Sequence, residues 1–373
     1  MPTLTHPPIS NRSGGDAGMD GALAQVSGLL SSYLSAKAVD ASHPELERLA
    51  RLLAGFVTGG KGLRPQLCVA GWLASGGNSP GPEPGGDTDA VVHAAASLEL
   101  FHAFALIQDD VMDGSGTRRG KPAMHCALAA VYPDGGDTSG KAFRFGLNAA
   151  VLLGDLALVW SNELLAAAPL SDAQREAAGP VISAMRTEVI FGQYLDLLAT
   201  GSQNGDVAAT LAVARYKTAS YTVHRPLQLG AVLAGADPDV LRACRDVGIP
   251  LGEAFQLRDD LLGVFGDPAR TGKPCLDDLR EGKHTTLMAL AVLRADPEQT
   301  RRLRRLVGDP QLDEAGACTV RGILESTGAR DEVERMIATR YRTAKAALRD
   351  APVTLAGSAA LARLASSVVE RDS

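Results

Sequence analysis

Aromatic side chains are scarce, at 4% of 373 residues, and β-branched runs are few. Sheets draw on those residue types, whereas Ala and Leu recurring at helical spacing favour helix, so the chain reads as all-α. There is no excess of positive charge either: 37 Lys and Arg stand against 43 Asp and Glu, a net charge of -6. A nucleic-acid binder carries a basic face or stripe, and that class is excluded. The five cysteines, Cys68, Cys126, Cys244, Cys275 and Cys318, contain no CxxC pair. They read as reduced thiols of a cytoplasmic protein, and no Cys/His cluster is available to a soft metal. Residues 1–21 lack the basic and apolar regions of a signal peptide and are expected to form a disordered tail ahead of a single domain over 22–373. The longest apolar runs, 91–107 and 147–160, are interrupted by His, Glu or Asp. Stable membrane insertion is therefore not expected, and both read as helices buried on all sides.

The densest chemistry lies in SLELFHAFALIQDDVMDGSGTRRGKPAM, Ser97 to Met124. On a helix, His102, Asp109 and Asp113 fall within about 40° of one line, with Ala105 and Leu106 on its two sides. Carboxylates at the end of an apolar stripe are costly without a cation, and a divalent metal is the simplest one. Arg118, Arg119 and Lys121 follow on a glycine-flanked loop, where a surface salt-bridge patch is the plain alternative. Upstream, GGKGLRPQL sets Lys61 and Arg64 at a helix entrance; an isolated KxxR pair reads first as a solvated loop. Asp155 reads as a hydrogen-bonded core carboxylate. Gln193 and Asp196 in FGQYLDL, and Lys217 and Thr218 in RYKTASYT, are polar residues inside apolar helices, each more often a satisfied core group than a site residue.

A second stretch, Gly252 to Leu287, repeats the first pattern. Gln256, Asp259 and Asp260 end an apolar helix, and Lys273 and Lys283 follow. Asp277 and Asp278 lie between Pro274 and Gly282 and read as turn residues. Two acidic pairs facing one helical cavity would offer hard oxygen ligands to Mg²⁺, which shares its shell with substrate phosphates. The neighbouring cations would hold phosphate oxygens. The oily floor of the same helix adds a hydrocarbon tail, so the substrate class is a diphosphate with an apolar chain.

The motifs GGKGLRP, QDDVMDGSGTRRGKPAMH, Lys217-Thr218, FQLRDD and EGKHTT, in that order and over roughly 22–348, resemble the trans-isoprenyl diphosphate synthases, the family of farnesyl and geranylgeranyl diphosphate synthases. The resemblance implies an orthogonal bundle of long helices around a deep central cavity, usually as a homodimer, working with three Mg²⁺ ions when substrate is bound. Asp109 and Asp113 would bind Mg²⁺ with Asp110 supporting, and Asp259, next to Asp260, would hold a further ion. Lys61, Arg64, His102 and Arg119 would grip isopentenyl diphosphate. Arg118, Lys217, Thr218, Gln256, Lys273 and Lys283 would grip the allylic diphosphate. The reaction implied is head-to-tail condensation of the two, with the released diphosphate as proton acceptor.

Two positions depart from the family pattern. Gly62 replaces an Arg, leaving the KxxR spacing intact, and Gly263 replaces the third Asp of the second motif, so that the metal there would lean on Asp259 and water. In the family, the fourth and fifth residues before the first Asp help set product length; here they are Ala105 and Phe104. Ala105 puts a methyl one turn below Asp109, and Phe101 is the next bulky residue down. Geranylgeranyl diphosphate is the expected product, with farnesyl diphosphate as its competitor. A terpene cyclase would need an NDxxSxxxE-type second motif, which is absent. An inactive regulatory subunit would typically have lost one aspartate pair, and both stand here.

Overall fold

The structure, a computed structural model, describes residues 14–58, 60–78, 88–132, 140–202, 204–266 and 276–369. In chain order the elements are α1 (Gly14–Val39), α2 (Pro44–Val57), α3 (Leu63–Ala74), α4 (Asp89–Asp113), a hairpin of β1 (Thr117–Arg118) and β2 (Lys121–Pro122), α5 (Met124–Ala129), α6 (Lys141–Ala166), α7 (Asp172–Ala199) and α8 (Val207–Val213). A π-helical segment, Ala214–His224, then leads into α9 (Arg225–Leu233) and α10 (Pro238–Phe265). The short α11 (Asp277–Arg280) precedes α12 (Thr286–Arg294), α13 (Pro297–Leu306), α14 (Glu314–Ser326), α15 (Ala329–Arg349) and α16 (Leu355–Val369). The all-α expectation holds. Residues 14–21, assigned from sequence to a disordered tail, instead belong to α1.

Helix α4 is buried on most of its circumference, from Ala90 to Ile107, as its all-round apolar composition requires. Helix α6 departs from the same expectation. Its buried residues Ala150, Leu153, Gly154, Ala157, Ser161 and Leu164 follow a helical period and form one face, on which α6 packs against α4. Phe145, Leu152 and Val159 repeat every seventh residue on the other side and are exposed. Asp155 is exposed too and accepts from Gln108 Nε2 at 3.3 Å, so it is no core carboxylate. Helix α10 runs unbroken through Pro250. It packs along its length on the π-helical segment and α15, and that burial outweighs the one backbone bond that proline forfeits.

The π-helical segment is wider than an α-helix, and its neighbours make room for it. A Cβ on Gly192 of α7 would lie 2.7 Å from Lys217 Cα, and one on Gly252 of α10 would lie 2.9 Å from Ala219 Cβ. Such π turns concentrate at functional sites. This one directs Lys217, Thr218, Tyr221 and Thr222 to one cavity.

At the end of that segment His224 is buried, and burial together with the Arg225 charge holds its imidazole at about 4, against an opposing pull from Glu188. The unfolded chain takes up this proton near pH 6.5, whereas the folded chain resists it until about pH 4. The resulting stability is complete above pH 6.5 and is lost as pH falls toward 4, a total on the order of 3 kcal/mol. Urea unfolding at pH 7.5 and pH 5 should show this decline in the parent, with a flatter profile in His224→Gln. Equal slopes in the two proteins would refute the assignment.

Candidate active site

One cavity of about 1090 Å³ collects residues from α4, the hairpin, α7, the π-helical segment, α10 and α11. Asp109 and Asp113 arrive from the last turn of α4, because their spacing of four places both on one face. Lys217 Nζ donates to Asp109 Oδ1 at 2.8 Å and to Asp196 Oδ2 at 2.5 Å. Burial opposes ionisation of Asp109, but Lys217 and Lys283 overcome it and bring the carboxyl down to about 2. Asp113 is pushed up to about 6 by burial and by the Asp109 charge. Lys217 itself is raised: Asp109 and Asp196 outweigh the burial that would discharge it.

The hairpin turn places the arginines. Arg119 and Gly120 both have positive φ, 54° and 72°, the signature of a two-residue type I′ turn between the Arg118 and Lys121 pair. A non-glycine residue there is strained, as is common where a side chain must be aimed. Arg118 Nε donates to Asp110 Oδ1 at 2.8 Å, and its Nη2 reaches that same oxygen and Asp109 Oδ2. Asp110 has no exposed surface, so it anchors Arg118 and does not open to the cavity centre.

On α10, Thr218 Oγ1 donates to Gln256 Oε1, and Gln256 Nε2 donates to Asp260 Oδ1 at 2.7 Å. Burial pushes Asp260 up to about 7 despite Gln256 and Lys283. Asp259 lines the cavity beside it. Half-buried Lys283 keeps its charge, with Asp278 foremost among the acids that offset its burial.

A second cationic group lines another part of the wall. Arg64 is buried, with Nη2 donating to Thr222 Oγ1 at 2.7 Å and its guanidinium carbon 4.4 Å from the centre of the Tyr221 ring. The Tyr221 hydroxyl pairs with His102 Nδ1 at 3.0 Å. Burial, reinforced by Arg64 and Arg119, drives the His102 pKa far below its ordinary value, so the imidazole is neutral. Lys61 stands exposed at the cavity edge. Gly62 next to it has φ of 60°, a conformation in which its lack of a Cβ matters and an arginine would be strained. Lys61, Arg64, Arg118 and Arg119 thus line the same cavity, whereas Lys121 is exposed outside it.

Several residues that the sequence left aside also line this cavity: Glu99, Ser115, Gln193, Asp196, Tyr221, Thr222 and Glu281. Gln193 and Asp196 sit three apart on α7, a spacing that marks one helix face. Asp277 and Asp278, read from sequence as turn residues, form the start of α11 and line the cavity. Phe104 and Ala105 are on the wall. Phe101 is buried behind them, its ring centre 5.5 Å from that of Phe104. Lys273 lies outside the described residues.

The donor set fits a hard divalent ion. Asp109, Asp113 and Asp259 are hard oxygen donors lining one cavity, the ligand type of Mg²⁺, an ion bound through one or two carboxylates and completed by phosphate and water. Burial and, after it, the Asp109 charge push Asp113 up, and a cation beside it would offset both.

A helical bundle closed around acids, two cation groups and an apolar wall defines an isoprenoid-synthase type of enzyme. The polyprenyl synthetase family profile matches residues 46–320, and the chain belongs to that family and is a prenyltransferase. It is 34% identical over 279 residues to a geranylfarnesyl diphosphate synthase of Aeropyrum pernix, covering 74% of this chain and 79% of the relative. It is 33% identical to a geranylgeranyl diphosphate synthase of Mycobacterium tuberculosis, covering 72% and 71%. The crystal structure of a geranylgeranyl pyrophosphate synthase from Corynebacterium glutamicum, complexed with isoprenyl diphosphate and magnesium, superposes with a TM-score of 0.88 at 39% identity, covering 95% of this chain and 99% of that one.

Proposed function

We propose that this chain condenses isopentenyl diphosphate head-to-tail with allylic diphosphates and releases geranylgeranyl diphosphate. The observation that carries this reading is one cavity with two groups of cations, Lys217 and Lys283 beside the aspartates and Arg64 and Arg119 beside neutral His102, together with an apolar wall. Asp109, Asp113 and Asp259 would hold Mg²⁺, three ions with both substrates bound, whose charge favours departure of the allylic diphosphate. Lys217, Lys283, Arg118, Thr218 and Gln256 would hold that diphosphate, with Lys273 assigned to the group by its motif alone. Asp196, Asp110 and Asp260 orient Lys217, Arg118 and Gln256 through the bonds described above.

Lys61, Arg64 and Arg119 would grip the diphosphate of isopentenyl diphosphate, and neutral His102 would add a hydrogen bond. The π-bond of that substrate attacks the allylic carbon as its diphosphate leaves, and the released diphosphate accepts the proton lost from the new unit. Phe104, Ala105 and Phe255 keep water from the cation. The Arg64 and His102 group has no role in a terpene cyclase, which handles one diphosphate.

The exposed apolar residues of α6, with Phe191, Tyr194 and Leu198 on α7, support a homodimer. The four described cysteines are all free, in keeping with a reducing cytoplasm. Among the described residues two helices are long and apolar enough to cross a membrane: α4, whose most apolar stretch is mostly buried within the bundle, and α6, which offers the proposed dimer face.

Labelled isopentenyl diphosphate supplied with each allylic primer and Mg²⁺, followed by chromatography of the dephosphorylated products, tests the reading. A 20-carbon alcohol is expected. A dominant 15-carbon product would overturn the chain length, and absence of incorporation would favour the regulatory-subunit alternative.

A further inference from the structure

Residue 263 lies four positions after Asp259 on α10, one turn further on the same face. Glycine gives that position no side chain, yet the space is filled. A Cβ built on Gly263 would overlap Asp278 Oδ2 and lie 2.8 Å from Asp278 Cγ. The Asp278 carboxylate, carried by α11, therefore stands where an acidic side chain of residue 263 would begin. The backbones of Asp278 and Lys283 are joined, the Lys283 N–H donating to the Asp278 carbonyl at 3.1 Å, and the Asp278 charge is foremost in offsetting the burial of Lys283.

We propose that Asp278 is the third carboxylate of the second acidic motif, supplied from a separate helix, and that Gly263 is its steric complement. The absence of a side chain at 263 admits the Asp278 carboxylate beside Asp259, where it serves the Mg²⁺ held there and orients Lys283 toward the diphosphate. Position 263 and position 278 are then two places for one carboxylate. An Asp at 263 collides with Asp278, and an Asp at 263 without Asp278 restores the charge by the route that the helix itself offers. On this reading the metal there does not depend on Asp259 and water alone. The inference rests on the Mg²⁺-diphosphate reading of the site.

Calorimetric titration of Mg²⁺ into protein saturated with inorganic diphosphate tests it without turnover. Asp278→Ala and the shape-preserving Asp278→Asn should each weaken apparent Mg²⁺ affinity by about tenfold or more, the range seen when groups supporting metal ligands are removed. Diphosphate binding without metal should hold or strengthen in both, since an acid beside Lys283 is gone. Gly263→Asp alone should lower Tm, and the double variant Gly263→Asp with Asp278→Ala should regain most of the Mg²⁺ affinity. Parent-like Mg²⁺ titration of both Asp278 variants, or a double variant no better than Asp278→Ala, overturns the proposal. A parent that shows no Mg²⁺-dependent diphosphate binding overturns the functional reading and this inference together; a binding parent with unchanged Asp278 variants overturns the inference alone.

Discussion

Asp109→Asn should lower kcat for isopentenyl diphosphate incorporation by roughly 10³-fold, the scale of losing one preorganised charge at a developing diphosphate. The substitution keeps the shape of the side chain and removes the charge at the junction of the site. The surrounding cations hold Asp109 ionised, down to about 2, in spite of burial. It shares Lys217 with Asp196 and reaches Arg118. An amide there would leave Lys217 paired to Asp196 alone, and an Mg²⁺ site short of one negative charge. The loss should appear in kcat as well as in the Mg²⁺ concentration needed for half-maximal rate, while the far-UV circular dichroism stays that of the parent. A loss of less than tenfold would place the metal elsewhere in the cavity. Asp110→Asn should act differently, since Asp110 is fully buried against Arg118 and does its work through that side chain.

The contrast between Asp109 and Asp196 shows what could be read in advance. Asp109 and Asp113 announce themselves locally: helical spacing puts two charges on the end of an apolar stripe, and the cost of burying them demands a cation whatever the rest of the fold does. Asp196 sits in a short apolar run of α7, but its meaning comes from Lys217 on another element, and nothing near it in sequence says so. The same holds for Asp278. Its neighbours Pro274 and Gly282 resemble a turn, and only its approach to Gly263 across the fold reveals its place. The π-helical register of 214–224 is likewise set by tertiary packing, through Gly192 and Gly252 on flanking helices far from it in the chain. The length of the apolar run alone misled at α6, because an apolar residue facing solvent counts toward such a run as fully as one facing a core.

Ala105→Phe should change the product from 20 carbons to 15. Ala105 lines the cavity one turn before Asp109, and a turn of helix spans about 5.4 Å, close to the length of one isoprene unit. A growing chain whose diphosphate is held at the aspartates passes this residue as it lengthens, and a phenyl ring in place of the methyl closes the passage. Phe104 lies on the same wall, and behind it Phe101 stacks edge-on to Tyr221 with ring centres 5.7 Å apart. That aromatic backing leaves a new ring no room to retreat, so it must occupy the cavity. Steric discrimination of this kind is worth about 1–3 kcal/mol, so the ratio of 20-carbon to 15-carbon product should fall at least about tenfold. The first condensation, which ends above this level, should keep a rate near that of the parent. In the opposite direction, Phe104→Ala should admit products longer than 20 carbons. Chromatography of the dephosphorylated alcohols reads both variants at once. If Ala105→Phe leaves the product length unchanged while Phe104→Ala extends it, the gauge lies with Phe104 and the Phe101 ring behind it, and the chain runs past Ala105 on another side of the cavity.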